Sequence, residues 1–265
     1  MTNTTTKGTA LITGASTGIG AIYADRLAQR GHDLILVARN AERLAAVARR
    51  ISDSSGRNVK VVPADLGNQT ELAQVENILR TDASITVLVN NAGFGAVTPL
   101  LNSDVDRMEQ MIDVNVTALT RLTYAAVPGF VARNGGTVIN IASVVAIGPE
   151  ILNGVYGASK AFVLALTQSL QHELGDKGIR IQAVLPGATA TEFWDIAGLA
   201  HSNLREGSVM SAEDMVDAAL IGFDQGEVIT IPPLQDGDEW SRHEATRRVL
   251  AQRLSHARPG ARYLA

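Results

Sequence analysis

Short β-branched runs alternate with longer helical stretches along most of this 265-residue chain. Residues 9–13, 34–38, 59–62, 86–89, 137–141, 179–185 and 228–231 read as strands, and the run LILVA at 34–38 is apolar on both faces. A strand covered by helices on either side needs that pattern. Between the strands, residues 18–30, 69–79, 105–133, 156–174 and 212–223 carry apolar positions at helical spacing, and Asn40 caps a further helix running to about 54. Seven strands alternating with helices predict a doubly wound α/β sheet, mainly parallel, with right-handed crossovers putting helices on both faces.

No Pro-, Gly- or Ser-rich linker and no internal repeat interrupts the pattern, so residues 1–265 are expected to form one domain. The interval 188–211 has few periodic positions and is expected to be a lid-like substrate segment. Residues 238–254 read as one more amphipathic helix.

Charge and composition remove whole classes of function. Asp plus Glu (27) exceeds Lys plus Arg (23) and no basic block stands out, which argues against a nucleic-acid or anionic-membrane binder. With no cysteine there is no disulfide, thiolate metal site or cysteine nucleophile. Aromatic residues make up 4%, too few for a base-stacking surface. His32, His172, His201, His243 and His256 show no metal-ligand spacing, so no metal is expected. No apolar run reaches the roughly 18 residues of a membrane helix, and residues 1–7 lack a signal pattern. A cytoplasmic protein is the expectation.

The turn between the first strand and first helix reads Thr13-Gly14-Ala15-Ser16-Thr17-Gly18-Ile19-Gly20. Glycines there permit positive φ and close approach of backbone to a pyrophosphate, and the following helix offers unpaired N–H groups to phosphate. The end of the second strand distinguishes the two dinucleotides. A carboxylate there accepts from the ribose 2′-OH of NAD, but this chain has Arg39, nineteen positions after Gly20. A guanidinium forks a 2′-phosphate, so NADP(H) is favoured over NAD(H), with Arg43 a weaker second candidate. Tyr156 and Lys160 stand at i and i+4 on a predicted helix and share a face. A neighbouring ammonium lowers a phenol from its ordinary value near 10, which would let Tyr156 exchange a proton near neutrality.

The TGxxxGIG spacing is similar to that of the short-chain dehydrogenase/reductase family, in its compact branch. Asp65-Leu66, Asn90-Asn91-Ala92-Gly93 and Pro186-Gly187-Ala188-Thr189-Ala190-Thr191 resemble further family motifs at strand ends, with Thr189 where the family more often has Val or Ile. Ser143, thirteen positions before Tyr156, and Asn115 in Val114-Asn115-Val116 complete a set with Tyr156 and Lys160 that matches the family's active site. The resemblance spans residues 9–191 closely.

It implies a Rossmann-like fold and these roles. Asp65 would bond the adenine amino group and Leu66 pack on the ring. Asn91, Ala92 and Gly93 would line the dinucleotide, and Pro186, Gly187, Thr189 and Thr191 would hold the nicotinamide end. Ser143 and Tyr156 would bond the carbonyl oxygen, Tyr156 delivering the proton as hydride arrives. Lys160 would orient the ribose and lower the Tyr156 pKa, and Asn115 would hold a water that resupplies protons. The family also implies a homo-oligomer, tetramer or dimer, packed through helices 105–133 and 156–174.

Phe94, Val145, Leu152, Phe193 and Trp194 flank these motifs or lie in the lid-like interval, and are expected as walls for an apolar substrate side chain. The reading is an NADP(H)-dependent alcohol dehydrogenase or ketoreductase acting on a small carbonyl or secondary-alcohol substrate. A non-catalytic NADP(H)-binding redox sensor is the alternative, and keeping all four active-site residues speaks against it. A lyase or epimerase is disfavoured by the spacing of the glycine turn. Serine without an attendant histidine disfavours a hydrolase.

Overall fold

A computed structural model describes residues 7–199 and 207–264. One compact unit ends at Pro232 and a second begins at Pro233. The first is built on seven strands: β1 (Thr9–Thr13), β2 (Asp33–Ala38), β3 (Val59–Pro63), β4 (Ile85–Asn90), β5 (Gly136–Ile141), β6 (Ile179–Val184) and β7 (Ile229–Thr230). They form one sheet in the order β3-β2-β1-β4-β5-β6-β7, and every pairing is parallel. Helices α1 (Gly18–Gln29), α2 (Ala41–Ser55), α3 (Gln69–Thr81), α4 (Val105–Ile112), α5 (Leu119–Ala132), α6 (Gly154–Leu174), α7 (Phe193–Ala197) and α8 (Ala212–Asp224) follow in chain order.

The LILVA run shows how sequence becomes layers. Successive side chains of a strand point to opposite faces, so Leu34 and Leu36 pack with Tyr23, Leu27, Leu44 and Val216 of α1, α2 and α8. Ile35 and Val37 turn to the other face, into a core with Leu72, Val75, Leu122 and Leu170 of α3, α5 and α6. This is the Rossmann-like arrangement, and the predicted fold class is the observed one.

Two polar clusters are carried inside it. Asn90 Nδ2 donates to Thr123 Oγ1 at 3.0 Å and Asn140 Oδ1 at 2.9 Å, and Asn140 Nδ2 donates to Thr167 Oγ1 at 3.0 Å. This buried chain ties the ends of β4 and β5 to α5 and α6. Glu76 of α3 is 2% exposed and is bound by Arg80 at 2.5 Å and by Arg121 of α5. Burial alone would raise the Glu76 pKa, but the two guanidinium groups outweigh it and hold the carboxyl below its ordinary value.

Three expectations are corrected. The predicted helix 105–133 is interrupted by a π turn at Asp113–Ala118 between α4 and α5. The predicted helix 156–174 starts earlier, at Gly154, because Asn153 caps it by accepting from Val155 N at 2.9 Å. The segment 238–254 forms helix α9 (Gly237–Gln252), but none of its residues is buried, so it has no core-facing stripe. Of the lid-like interval 188–211, residues 200–206, His201 among them, lie outside the described residues.

Breaking a buried ion pair is costly, but both arginines are about half exposed and can be rehydrated. Glu76→Ala is therefore expected to cost about 2 kcal/mol of unfolding free energy at neutral pH. A depressed carboxyl pKa stabilises above the unfolded value and loses that contribution as pH falls through the folded one. Urea titrations should accordingly show parent and variant converging below about pH 4.

Candidate active site

Strands β1 and β4 are neighbours, yet β1 leads to β2 on one side while β4 leads to β5 on the other. The connections diverge there and leave a crevice at the carboxyl ends of the strands. Its walls are pinned by side chains. Thr13 Oγ1 donates to Val89 O at 3.3 Å and accepts from Asn91 N and Ala92 N, each at 3.0 Å. Asn91 Nδ2 donates to Thr13 O at 2.9 Å and Gly14 O at 3.2 Å. Gly14 has φ +66°, and a Cβ there would lie 2.7 Å from Asn91 Nδ2, so glycine is required twice over.

A cavity of about 820 Å³ opens from this point. At one end it is lined by Gly14, Ser16, Thr17, Gly18 and Ile19. Thr17, the N-cap of α1, makes no side-chain capping bond, which leaves first-turn N–H groups without a side-chain partner, as a phosphate site needs. Gly20 does not line the cavity; it stands against Gly14 O with no room for a side chain. Arg39, Asp65, Leu66, Asn91, Ala92 and Gly93 continue the lining. Among the described residues no carboxylate pairs with Arg39, whereas Arg43 is held by Glu192 at 2.7 Å. A cradle too tight for Cβ atoms and uncapped helix amides together fit a dinucleotide.

The other end holds the side chains expected to react. Asn153 Oδ1 also accepts from Tyr156 N at 3.4 Å, so Tyr156 sits in the first turn of α6. Ser143 follows β5 and caps a short 3₁₀ turn, accepting from Val145 N at 3.3 Å and donating to Pro186 O at 3.4 Å. Lys160 is buried, donates from Nζ to Ile141 O at 2.8 Å, and lies 5.9 Å from the Tyr156 ring centroid. Ser143, Tyr156, Lys160, Pro186, Gly187, Thr189 and Thr191 all line the same cavity.

Asn115 does not line it. Its position in the π turn buries the amide, which accepts from Phe94 N at 3.1 Å and donates to Phe94 O at 2.9 Å and Ser159 Oγ at 3.1 Å. Both N–H groups therefore serve the protein, fixing the loop after β4 against α6.

Burial dominates the electrostatics. It pushes the Tyr156 phenol up to about 12, against a lowering from the Ser143 hydroxyl. It pushes the Lys160 ammonium down to about 8. The expected lowering of Tyr156 by Lys160 is thus not met within the protein's own groups, because desolvation of the phenolate is the larger effect.

The expected walls Phe94, Val145, Leu152, Phe193 and Trp194 all line the cavity. The Phe193 ring lies 5.6 Å from that of Tyr156 at 45°, and Trp194 packs edge-on to it at 5.4 Å. Sequence reasoning missed Arg107, Gln110, Ile151, Ile196, Leu199 and Glu192, which also line it. The i, i+3 spacing of Arg107 and Gln110 on α4 was the available signal for a shared face. Among the described residues no helix is long and apolar enough to cross a membrane.

A doubly wound sheet with a Ser, Tyr and Lys gathered beside a glycine-rich phosphate cradle defines a dinucleotide-dependent class of oxidoreductase. A family model described as short chain dehydrogenase matches residues 8–198, and the chain belongs to that family. A short-chain dehydrogenase from Sphingobium yanoikuyae, solved in complex with NADPH, is 48% identical, with 97% of this chain and 100% of that chain covered and a TM-score of 0.93. The bulky-bulky ketone specific alcohol dehydrogenase from Comamonas testosteroni, in an orthorhombic crystal, is 43% identical over 98% of this chain and 100% of its own, with a TM-score of 0.90. An uncharacterized oxidoreductase of Staphylococcus epidermidis is 30% identical over 226 residues, 84% of this chain and 93% of that protein.

Burial pushes the Lys160 ammonium down to about 8. Carbon-13 NMR of protein labelled at lysine Cε should show a resonance titrating near 8 that is absent from Lys160→Met. No resonance titrating there would contradict the burial argument.

Proposed function

We propose that the protein is an NADP(H)-dependent oxidoreductase that interconverts a ketone or aldehyde with its alcohol, the carbonyl carrying apolar substituents. The observation that carries this reading is that Ser143, Tyr156 and Lys160 line the cavity that also opens on Gly14, Gly18 and Arg39. Arg39, free of a carboxylate partner among the described residues, supports NADP(H) over NAD(H), as does the NADPH complex of the Sphingobium relative. Phe94, Val145, Leu152 and Phe193 support an apolar substrate. The description of the Comamonas relative as specific for bulky-bulky ketones agrees with that.

When bound, the dinucleotide supplies or accepts the hydride at the carbonyl or carbinol carbon. The protein's own groups handle the oxygen and its proton. Ser143 and Tyr156 donate hydrogen bonds to the carbonyl oxygen, and negative charge building there in reduction takes the Tyr156 proton. With burial holding the phenol at about 12, Tyr156 is protonated throughout the neutral range, as a proton donor must be. Lys160, charged below about 8, offers a cation beside the developing phenolate and N–H groups to the ribose hydroxyls. Asn115 steadies this arrangement through Phe94 and Ser159. Apolar residues left exposed on α5 and α6, Tyr124 and Phe162, support the homo-oligomer.

NADPH oxidation against a panel of ketones and aldehydes, with NADH in parallel and a binding titration beside it, is the direct test. Turnover favouring NADPH is expected, whereas tight NADPH binding without turnover across the panel would turn the reading to the redox sensor. Tyr156→Phe should lower kcat by about 10²–10⁴-fold while the NADPH Kd stays within about twofold. Arg39→Asp should shift the NADPH/NADH preference by about 100-fold toward NADH, since it replaces a fork to the phosphate with a repelling carboxylate. An unaltered ratio would remove Arg39 from the site.

A further inference from the structure

We propose that Arg107 is a positioning residue that holds helix α7 over Tyr156 and so sets affinity for the carbonyl substrate. This rests on the activity proposed above. Helix α7 has five residues, too few to be stable by its own hydrogen bonds. The last four carbonyls of a helix have no partner within it, and those of α7 can be followed one by one. Leu199 N donates to Trp194 O at 3.0 Å and Gly198 N to Asp195 O at 3.3 Å, the chain turning back through a left-handed Gly198 at φ +90°. The remaining two are met from elsewhere in the chain. Val97 N donates to Ala197 O at 3.1 Å, and Arg107 Nη2 donates to Ile196 O at 2.6 Å.

The arginine is suited to that task. Among the described residues no carboxylate pairs with Arg107, so its charge is available to the helix carbonyl, and an ionised donor makes the stronger hydrogen bond. Its guanidinium carbon also lies over the Phe94 ring, 5.9 Å from the centroid. Phe94 in turn is fixed through its backbone by Asn115. At the far end of α7, Trp194 Nε1 donates to Thr189 O at 2.9 Å, and Phe193 lies on the Tyr156 ring. The room for Phe193 comes from Gly95, whose Cβ would collide with that ring. Arg107 therefore joins a fixed wall of the cavity to the helix that presents Phe193 to the reactive tyrosine. Loss of this tie should weaken substrate binding without touching the groups that move the proton.

The chain has two tryptophans, Trp194 and Trp240, so a Trp240→Phe background leaves Trp194, 7% exposed, as the fluorescent reporter of α7. In that background Arg107→Met is expected to raise acrylamide quenching of Trp194 about threefold, and Arg107→Lys, which keeps a charged donor, to restore most of the protection. The KM for an uncharged aryl ketone should rise about tenfold in Arg107→Met, with kcat and the NADPH Kd within about twofold. Unchanged quenching together with unchanged KM would overturn the proposal. So would a KM rise confined to a keto acid with quenching unmoved, because that pattern makes Arg107 a direct ligand for a substrate anion. Quenching needs no turnover, so it decides the role of Arg107 at α7 even if the proposed activity fails.

Discussion

The whole site depends on the clamp between the ends of β1 and β4. At the one place where the connections of the sheet part, nothing in the strand pairing itself holds the two chain segments beyond the last ladder bond. Thr13 and Asn91 do so with side chains, each bonding the other segment's backbone. The same contacts force glycine at position 14, because the Asn91 amide occupies the space of a Cβ. One residue back, at the end of β4, the Asn90–Asn140 pair extends the fixation to β5, α5 and α6, the elements that carry or back Ser143 and Tyr156. The glycine turn and the hydroxyls of Ser143 and Tyr156 are thus referred to one line of polar contacts. The Asn90, Asn140, Thr123 and Thr167 bonds are buried, so breaking one would carry a desolvation penalty, which favours a single geometry.

Burial that fixes positions also fixes protonation. A hydroxyl and an ammonium buried in the same pocket respond in opposite senses, since the phenol must gain a charge to deprotonate and the ammonium must lose one. Tyr156 is accordingly held as the neutral acid, and Lys160 is poised near the upper edge of the physiological range. For the proposed reduction this is the useful combination: the donor keeps its proton until the substrate oxygen draws it. In the reverse direction the same environment opposes forming the phenolate, so the charge on Lys160 matters more there than in reduction.

Much of this was legible in the sequence, and the parts that were not share a physical cause. The strands and the glycine turn were readable because their signals are local, such as LILVA at 34–38 or Gly14 at a positive φ. Ser143, Tyr156 and Lys160 were readable through motif resemblance. Arg107, Glu192 and Ile196 were not, because their part depends on two distant segments meeting: α4 with the end of α7, and the start of α2 with the residue before it. Helix α9 misled for the opposite reason. Its composition contains enough apolar residues to suggest a stripe, but they are spread around the helix and none is buried.

The π turn shows how a local irregularity serves both ends of the same helical rod. An α-helix advances about 100° per residue, and a π turn absorbs one extra residue without ending the rod. Upstream of it, Arg107 and Gln110 line the cavity, as does Val114 within the turn. Downstream, Leu122 and Ala126 pack into the core and Thr123 accepts from Asn90. With regular α geometry throughout, the two stretches would differ in phase by about one residue, and either the cavity face or the core face would be turned away. Asn115 stands within the turn, and its side-chain amide bonds Phe94 and Ser159. A residue poorly suited to a helix interior by propensity thus fixes the cavity wall against the helix that carries Tyr156 and Lys160.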